Sequence, residues 1–367
     1  MDSLSKALLI ACICLPTLVT AGGRETDWTT DALRRMSNPP LGLPPLGAQD
    51  LPSAGQIALG RKLFFDPSLA GNASMSCATC HEPDEGFTQN ARATPLGSDG
   101  TALRRNAPTL YNVGYARIMM HDGAEPSLRS QVLAPLFNKH EMANADFGSL
   151  IVRVRQRADY RELFEAAFGK PATVPLLSKA IASYERSLVS ANSAFDRWRY
   201  GKESGALSAA AQRGFALFTG KAGCSTCHVV GDQWAVFTDD GFHNTGVGYL
   251  AERKRLAGQT QQALHDRGRE EVTFRREDRH KFKTPTLRNI ALTAPYMHDG
   301  SLATLTDVVL YYGHGGSQDP DKDPAIHPLA LSDEEVDALV AFLGSLTGDN
   351  YTALAAEARG ALGGNEP

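Results

Sequence analysis

Two short segments limit this chain more than any other feature: Cys77-Ala78-Thr79-Cys80-His81 and Cys224-Ser225-Thr226-Cys227-His228. There are 6 cysteines, and the remaining two, Cys12 and Cys14, fall in an apolar leader, so every later cysteine belongs to a Cys-x-x-Cys-His pentapeptide. Three chemistries use that spacing. Disulfide exchange gives the following histidine no role. Zinc would need both pairs to converge on one ion. Covalent c-type haem uses every residue: two thiols form thioethers to the vinyl groups, and the adjacent histidine becomes the proximal iron ligand. The expectation is two haem c groups, held by Cys77, Cys80 and His81 and by Cys224, Cys227 and His228.

The leader points to export. Lys6 precedes an apolar run from Ala7 to Val19 that closes on Val19-Thr20-Ala21, the pattern of a signal peptide cleaved after Ala21. The run is shorter than the roughly 20 apolar residues of a membrane span, and no later stretch comes closer. Leu9-Ile10-Ala11-Cys12 resembles a lipoprotein box, but too few apolar residues precede the cysteine. The mature chain is expected to be periplasmic and without a membrane span. Lys and Arg total 37 against 41 Asp and Glu, so the net charge of -4 offers no general attraction to nucleic acid or acidic lipid. A composition 42% hydrophobic and 21% charged excludes disorder and collagen.

Helical spacing dominates the rest. Ser53 and Gln56 form a capping-box pattern before Ile57, Leu59, Leu63 and Phe64. Helices are also predicted around Leu150 to Val154, Leu177 to Leu188, residues 208–218 and 304–312, and Ser332 to Leu346. No alternating run predicts a substantial sheet. Pro108-Thr109-Leu110-x-Asn112, followed by Met120-His121-Asp122-Gly123, repeats as Pro285-Thr286-Leu287-x-Asn289, followed by Met297-His298-Asp299-Gly300. The interval from the haem motif to this repeat is longer in the second copy, which therefore carries an insertion between Val229 and Lys283. The fold expected is mainly α, two tandem cytochrome c-like domains with one covalent haem each. Its parts are a signal peptide at 1–21, a Pro/Gly-rich extended arm at 22–52, domains at 53–205 and 206–350, and a C-terminal tail at 351–367.

These residues resemble the bacterial dihaem cytochrome c peroxidases, including the MauG-like enzymes that oxidise protein side chains. The motifs are Ser76 to His81, Asn106-Ala107-Pro108-Thr109, Asn138 to Met142, His243-Asn244-Thr245-Gly246 and Thr284 to Gly300. The resemblance implies that the N-terminal haem reacts with hydrogen peroxide while the C-terminal haem stores or relays electrons. It aligns Glu141 with the distal glutamate and Gln131 with the distal glutamine, the catalytic pair. It aligns Asn106 and the carbonyls of Thr293 and Pro295 with a calcium site between the haems, and those hard oxygens suit that ion.

Orthodox members block the first iron with a histidine before Asn-x-Pro-Thr, and this chain has none between His81 and His121. For the second iron the candidates are Met297, His298, Tyr311, Tyr312, His314 and His243. The family position falls on Tyr312, with Met297 the alternative. Leu305, Val308, Val309 and Tyr312 share one helical face, which turns Tyr312 inward. A phenolate favours high-valent iron, and methionine raises the potential.

Two departures accompany the match: His121 replaces the tryptophan between the haems, and Ala222 replaces a surface tryptophan before the second motif. Arg253, Lys254, Arg255, Arg267, Arg269, Arg275, Arg276 and Arg279 crowd the insertion, where they can pair with propionates or an acidic partner. The reading is a periplasmic peroxidase that oxidises a small redox protein or a protein side chain. The alternatives are an orthodox peroxidase with a small cytochrome donor and a non-catalytic electron carrier.

Overall fold

The computed structural model of the protein describes residues 22–259 and 265–360; the signal peptide expected at 1–21 lies outside them. The chain opens with a helix, α1 Gly22–Ser37, and not with the extended arm expected from residue 22. The prolines that suggested extension begin only at Pro39, and before them Ala32 and Met36, one turn apart, are fully buried. The Pro/Gly stretch that follows is pinned: the amides of Asn192 and Ala235 donate to the carbonyls of Leu41 (2.9 Å) and Gly42 (3.1 Å).

The first domain adds α2 Ala54–Phe64, α3 Leu128–Gln131, α4 Leu133–Phe137, α5 Phe147–Gln156, α6 Ala158–Phe168 and α7 Val174–Arg186. Helix α2 starts on the predicted box, with Ser53 and Gln56 each capping the other's backbone. It crosses α7 at very short range. Gly60 permits this, since a Cβ there would lie 1.9 Å from the Ala180 carbonyl oxygen. Ile57, Leu63, Phe64, Leu177, Ile181 and Tyr184 form the buried contact.

The second domain repeats the crossing. Helix α8 Ala194–Arg199, although it lies within the 53–205 expected for the first domain, sends Phe195 into the second core, and the second domain otherwise contains α9 Ala209–Thr219, α10 Val247–Leu256, α11 Glu270–Thr273, α12 Leu305–Gly313 and α13 Asp333–Gly344. Gly214 on α9 would put a Cβ 1.9 Å from the Ala338 carbonyl oxygen of α13. Phe195, Phe218, Phe237 and Phe342 fill the core. Among the described residues the single sheet pairs β1 Phe242–His243 with β2 Phe282–Lys283, antiparallel.

The expected tail is instead α14 Tyr351–Arg359, which returns to the first domain. Its Ala-rich sequence has high helix propensity, and Leu354 and Ala358 join the first core. Arg35 donates to both Glu357 carboxylate oxygens at 2.9 and 2.7 Å. The insertion also reaches the first domain: Arg104 pairs with Glu271 at 3.0 Å, and Arg105 bridges Asp266 at 2.7 Å and Asp122 at 2.6 Å.

Candidate functional site

Each Cys-x-x-Cys-His motif is a single 3-10 turn, Cys77–Thr79 or Cys224–Thr226, which sets the two thiols one turn apart and the histidine just beyond. The histidines are held alike. His81 Nδ1 lies 3.0 Å from the Phe87 carbonyl, and His228 Nδ1 lies 2.9 Å from that of Phe237. Carbonyls accept, so Nδ1 carries the proton and Nε2 keeps its lone pair. That is the tautomer a metal-ligating imidazole needs. Burial lowers the pKa of both histidines, which keeps them neutral.

Threonines tie each loop to the repeated Pro-Thr-Leu-x-Asn segment. Thr109 donates to Gly86 at 2.6 Å and Thr286 to Val236 at 2.7 Å. Thr88 donates to Ala107, and Thr238 to Thr284. Asn112 and Asn289 both take left-handed backbone, as do Met120 and Met297. The two frames are copies, and they differ in what stands around them.

Around the first motif, Asn138 Nδ2 donates to Glu141 Oε1 at 3.0 Å. Burial raises the Glu141 carboxyl, and its proximity helps raise the Cys80 thiol, which burial pushes to about 11. Gln131 ends α3 and is half-buried. Glu185 was not anticipated. This α7 residue is 5% exposed, its Oε2 has no hydrogen-bond partner, burial raises its carboxyl to about 8, and its charge acts on Cys77. The signal was available: Glu185 continues the apolar stripe of Leu177 and Ile181 at four-residue spacing.

Around the second motif the candidate ligands separate. His243 lies between two carboxylates, with Nδ1 2.6 Å from Asp323 and Nε2 3.0 Å from Asp239. Tyr311 donates to the Thr245 carbonyl at 2.9 Å. His298 is stacked on Phe282, with ring centroids 3.6 Å apart. His314 caps the end of α12 and is exposed. Met297 is half-buried in its turn. Tyr312, on α12, is half-buried, and its phenol is raised by burial and then by the nearby Tyr311, Cys224 and Cys227.

Between the domains, His121 donates from Nε2 to the Asn106 carbonyl at 2.9 Å, and burial with the nearby Arg105 lowers its pKa to about 4. Asn106 is buried. Its backbone N–H donates to the His298 carbonyl at 2.7 Å and its Nδ2 to Ala93 at 3.0 Å.

A family model for the di-haem cytochrome c peroxidases matches residues 54–204, and one for cytochrome c matches residues 211–347. The chain is 38% identical over 296 residues to methylamine utilization protein MauG of Methylorubrum extorquens, covering 79% of this chain and 78% of that one. It is 35% identical over 371 residues to cytochrome-c peroxidase IdrP1 of Denitromonas iodatirespirans, covering 94% and 93%. A crystal structure of a MauG-like protein associated with microbial copper homeostasis superposes with a TM-score of 0.72 at 32% identity, covering 86% of this chain and 95% of that one. Two cytochrome c-type domains in one chain imply two c-type haems.

Proposed function

The chain belongs to the dihaem cytochrome c peroxidase family that includes MauG, and from that premise we propose that it is a MauG-like periplasmic enzyme, oxidising a small redox protein or a protein side chain with hydrogen peroxide. The periplasmic location rests on the leader at 1–21. Cys77 and Cys80 with His81, and Cys224 and Cys227 with His228, would hold the two haems. The fit is supported by thiols one turn apart and by histidines whose Nε2 is left unprotonated. When bound, the haems supply the iron chemistry that reduces peroxide to water with two electrons and two protons.

The chain's own residues manage protons and position. Burial raises the pKa of the Glu141 carboxyl, which favours its acid form, and that carboxyl is the group that delivers a proton to the departing peroxide oxygen. Asn138 fixes one of its oxygens, and Gln131 orients the substrate. Asn106 Oδ1 and the carbonyl oxygens of Thr293 and Pro295 would hold calcium. They are hard donors, and among the described residues none of the three accepts a hydrogen bond.

One observation carries the MauG-like assignment: the half-buried Tyr312 has its phenol raised by burial and then by the nearby Tyr311, Cys224 and Cys227; the competing candidate is His243, which is paired with Asp323 and Asp239 and also lies beside Cys227. Burial keeps the phenol protonated until a cation faces it, and a bound cation reverses that preference. Replacing Tyr312 with Phe should change the EPR signal of one ferric haem and leave the other intact. An unchanged spectrum would move the ligand to Met297, and with it the function to the orthodox peroxidases.

A further inference from the structure

The insertion of the second domain brings together three side chains that the peroxidase reading does not use. Glu252 lies on α10, His265 in the segment before α11, and His280 beyond it. His265 Nε2 is 2.8 Å from Glu252 Oε1, and His280 Nε2 is 3.2 Å from Glu252 Oε2. One ligand atom from each lies within 4.8 Å of the others.

His280 gives this cluster its direction. The residue is 4% exposed, and its Nε2 makes no hydrogen bond despite the close carboxylate. Its other nitrogen, Nδ1, faces the buried Asp319 carboxylate at 3.6 Å, and Asn244 steadies that carboxylate at 2.8 Å. A carboxylate behind the far ring nitrogen is the usual backing of a metal-bound histidine. Gly248 leaves room for the side chain, since a Cβ there would come 3.1 Å from the His280 Cβ and from two of its ring atoms.

We propose that Glu252, His265 and His280 form a structural binding site for a divalent cation of the zinc class, separate from both haem motifs and from the calcium ligands. Two imidazole nitrogens, one carboxylate oxygen and a water make a four-coordinate set suited to zinc. Copper(II) favours the same donors. Arg279 competes for the position. Its guanidinium lies 2.9 and 3.1 Å from the two Glu252 oxygens and 3.5 Å from His265 Nε2. The cluster thus already draws one positive charge, and a metal ion must displace it. The neighbour of His265 is Asp266, which bridges to Arg105 of the first domain. An ion on His265 would therefore stiffen the inter-domain contact.

The test uses the haem-loaded protein, stripped with a chelator and titrated with Zn2+ alone, with bound zinc counted by elemental analysis after dialysis. The expected result is one retained zinc per chain, with no change in the haem spectra and a higher melting temperature, because only the folded state has the site. Replacing His265 with Ala should weaken retention at least tenfold, and so should Asp319→Asn, at the scale of lost outer support. Replacing Arg279 with Gln should strengthen it. His265 is partly exposed, so its variant should fold even if a His280 variant does not. No retained zinc, retention that survives His265→Ala, or weaker retention in Arg279→Gln would each overturn the site and make the cluster an ion-pair network around Glu252.

Discussion

The two Pro-Thr-Leu-x-Asn segments hold their histidines in the same way, yet one residue after the leucine they bury opposite kinds of side chain. The first domain has Tyr111, whose hydroxyl donates to the Tyr351 carbonyl of α14 at 3.1 Å. The second has Arg288, 1% exposed, which forms a two-pronged pair with Asp196 at 2.9 and 3.0 Å and also donates to Gly42 and Ala235. The first position is closed by the C-terminal helix and the second by the N-terminal Pro/Gly stretch. The repeated frame is therefore locked by chain segments outside the repeat, and the two locks differ in kind: one hydrogen bond against a desolvated ion pair.

That difference sets the largest effect expected. Asp196→Ala leaves the Arg288 charge buried without its carboxylate, a change that typically costs about 3–5 kcal/mol. Tyr111→Phe removes one neutral hydrogen bond, worth about 1 kcal/mol. Denaturant unfolding followed by tryptophan fluorescence and by the haem bands should rank them in that order. A cost for Asp196→Ala no larger than that for Tyr111→Phe would mean that water reaches Arg288, and the contrast between the locks would fail.

A second contrast concerns chemistry. Under the proposed function Glu141 handles the proton at the first motif, while Tyr312 would serve the second as an iron ligand. Glu141→Gln should keep both haem spectra while slowing peroxide reduction by roughly two orders of magnitude, the scale of positioned acid-base catalysis. Stopped-flow mixing with peroxide measures this directly. Turnover close to that of the unaltered protein would make Glu141 a structural residue.

Much of this comparison was legible in the sequence, because its parts are local. The pentapeptides, the repeated Met-His-Asp-Gly turns and the boxes at Ser53 and Ser332 each span a few residues, and the boxes cap α2 and α13 as read. The fold class followed from them. Helix α1 was missed because the prolines and glycines nearby outweighed a single apolar stripe, Ala32 and Met36. Helix α14 was missed because a short Ala-rich stretch at a chain end looks like a tail until a core exists to receive Leu354 and Ala358. The cluster of Glu252, His265 and His280 was not legible, since its members are brought together only by the folded insertion. Candidate iron ligands were too many in sequence for the same reason. The structure stacks His298 on Phe282 and pairs His243 with two carboxylates, yet it also sets His243 beside Cys227 of the second motif.

The smallest effect expected is a slope. The crossings of α2 with α7 and of α9 with α13 superimpose Ala180 on Ala338 through Gly60 and Gly214, which sets Glu185 opposite Leu343, both buried. The first domain thus buries a carboxyl where the second buries a leucine. Burial raises Glu185 from 4.5 to about 8, so between those values the folded chain keeps a proton that the unfolded chain has released. Stability falls with pH wherever the folded state binds more protons. The contribution of Glu185 is therefore fully present below about 4.5 and is lost as pH rises through 8. Melting temperatures taken from pH 5 to 9 should decline in the unaltered protein and decline less in Glu185→Gln, which cannot ionise. The two curves should lie closest at the acid end. Parallel curves across the range would mean that the Glu185 carboxyl titrates normally beside Cys77, and that the burial of a carboxyl in only one of the two domains has no protonic consequence.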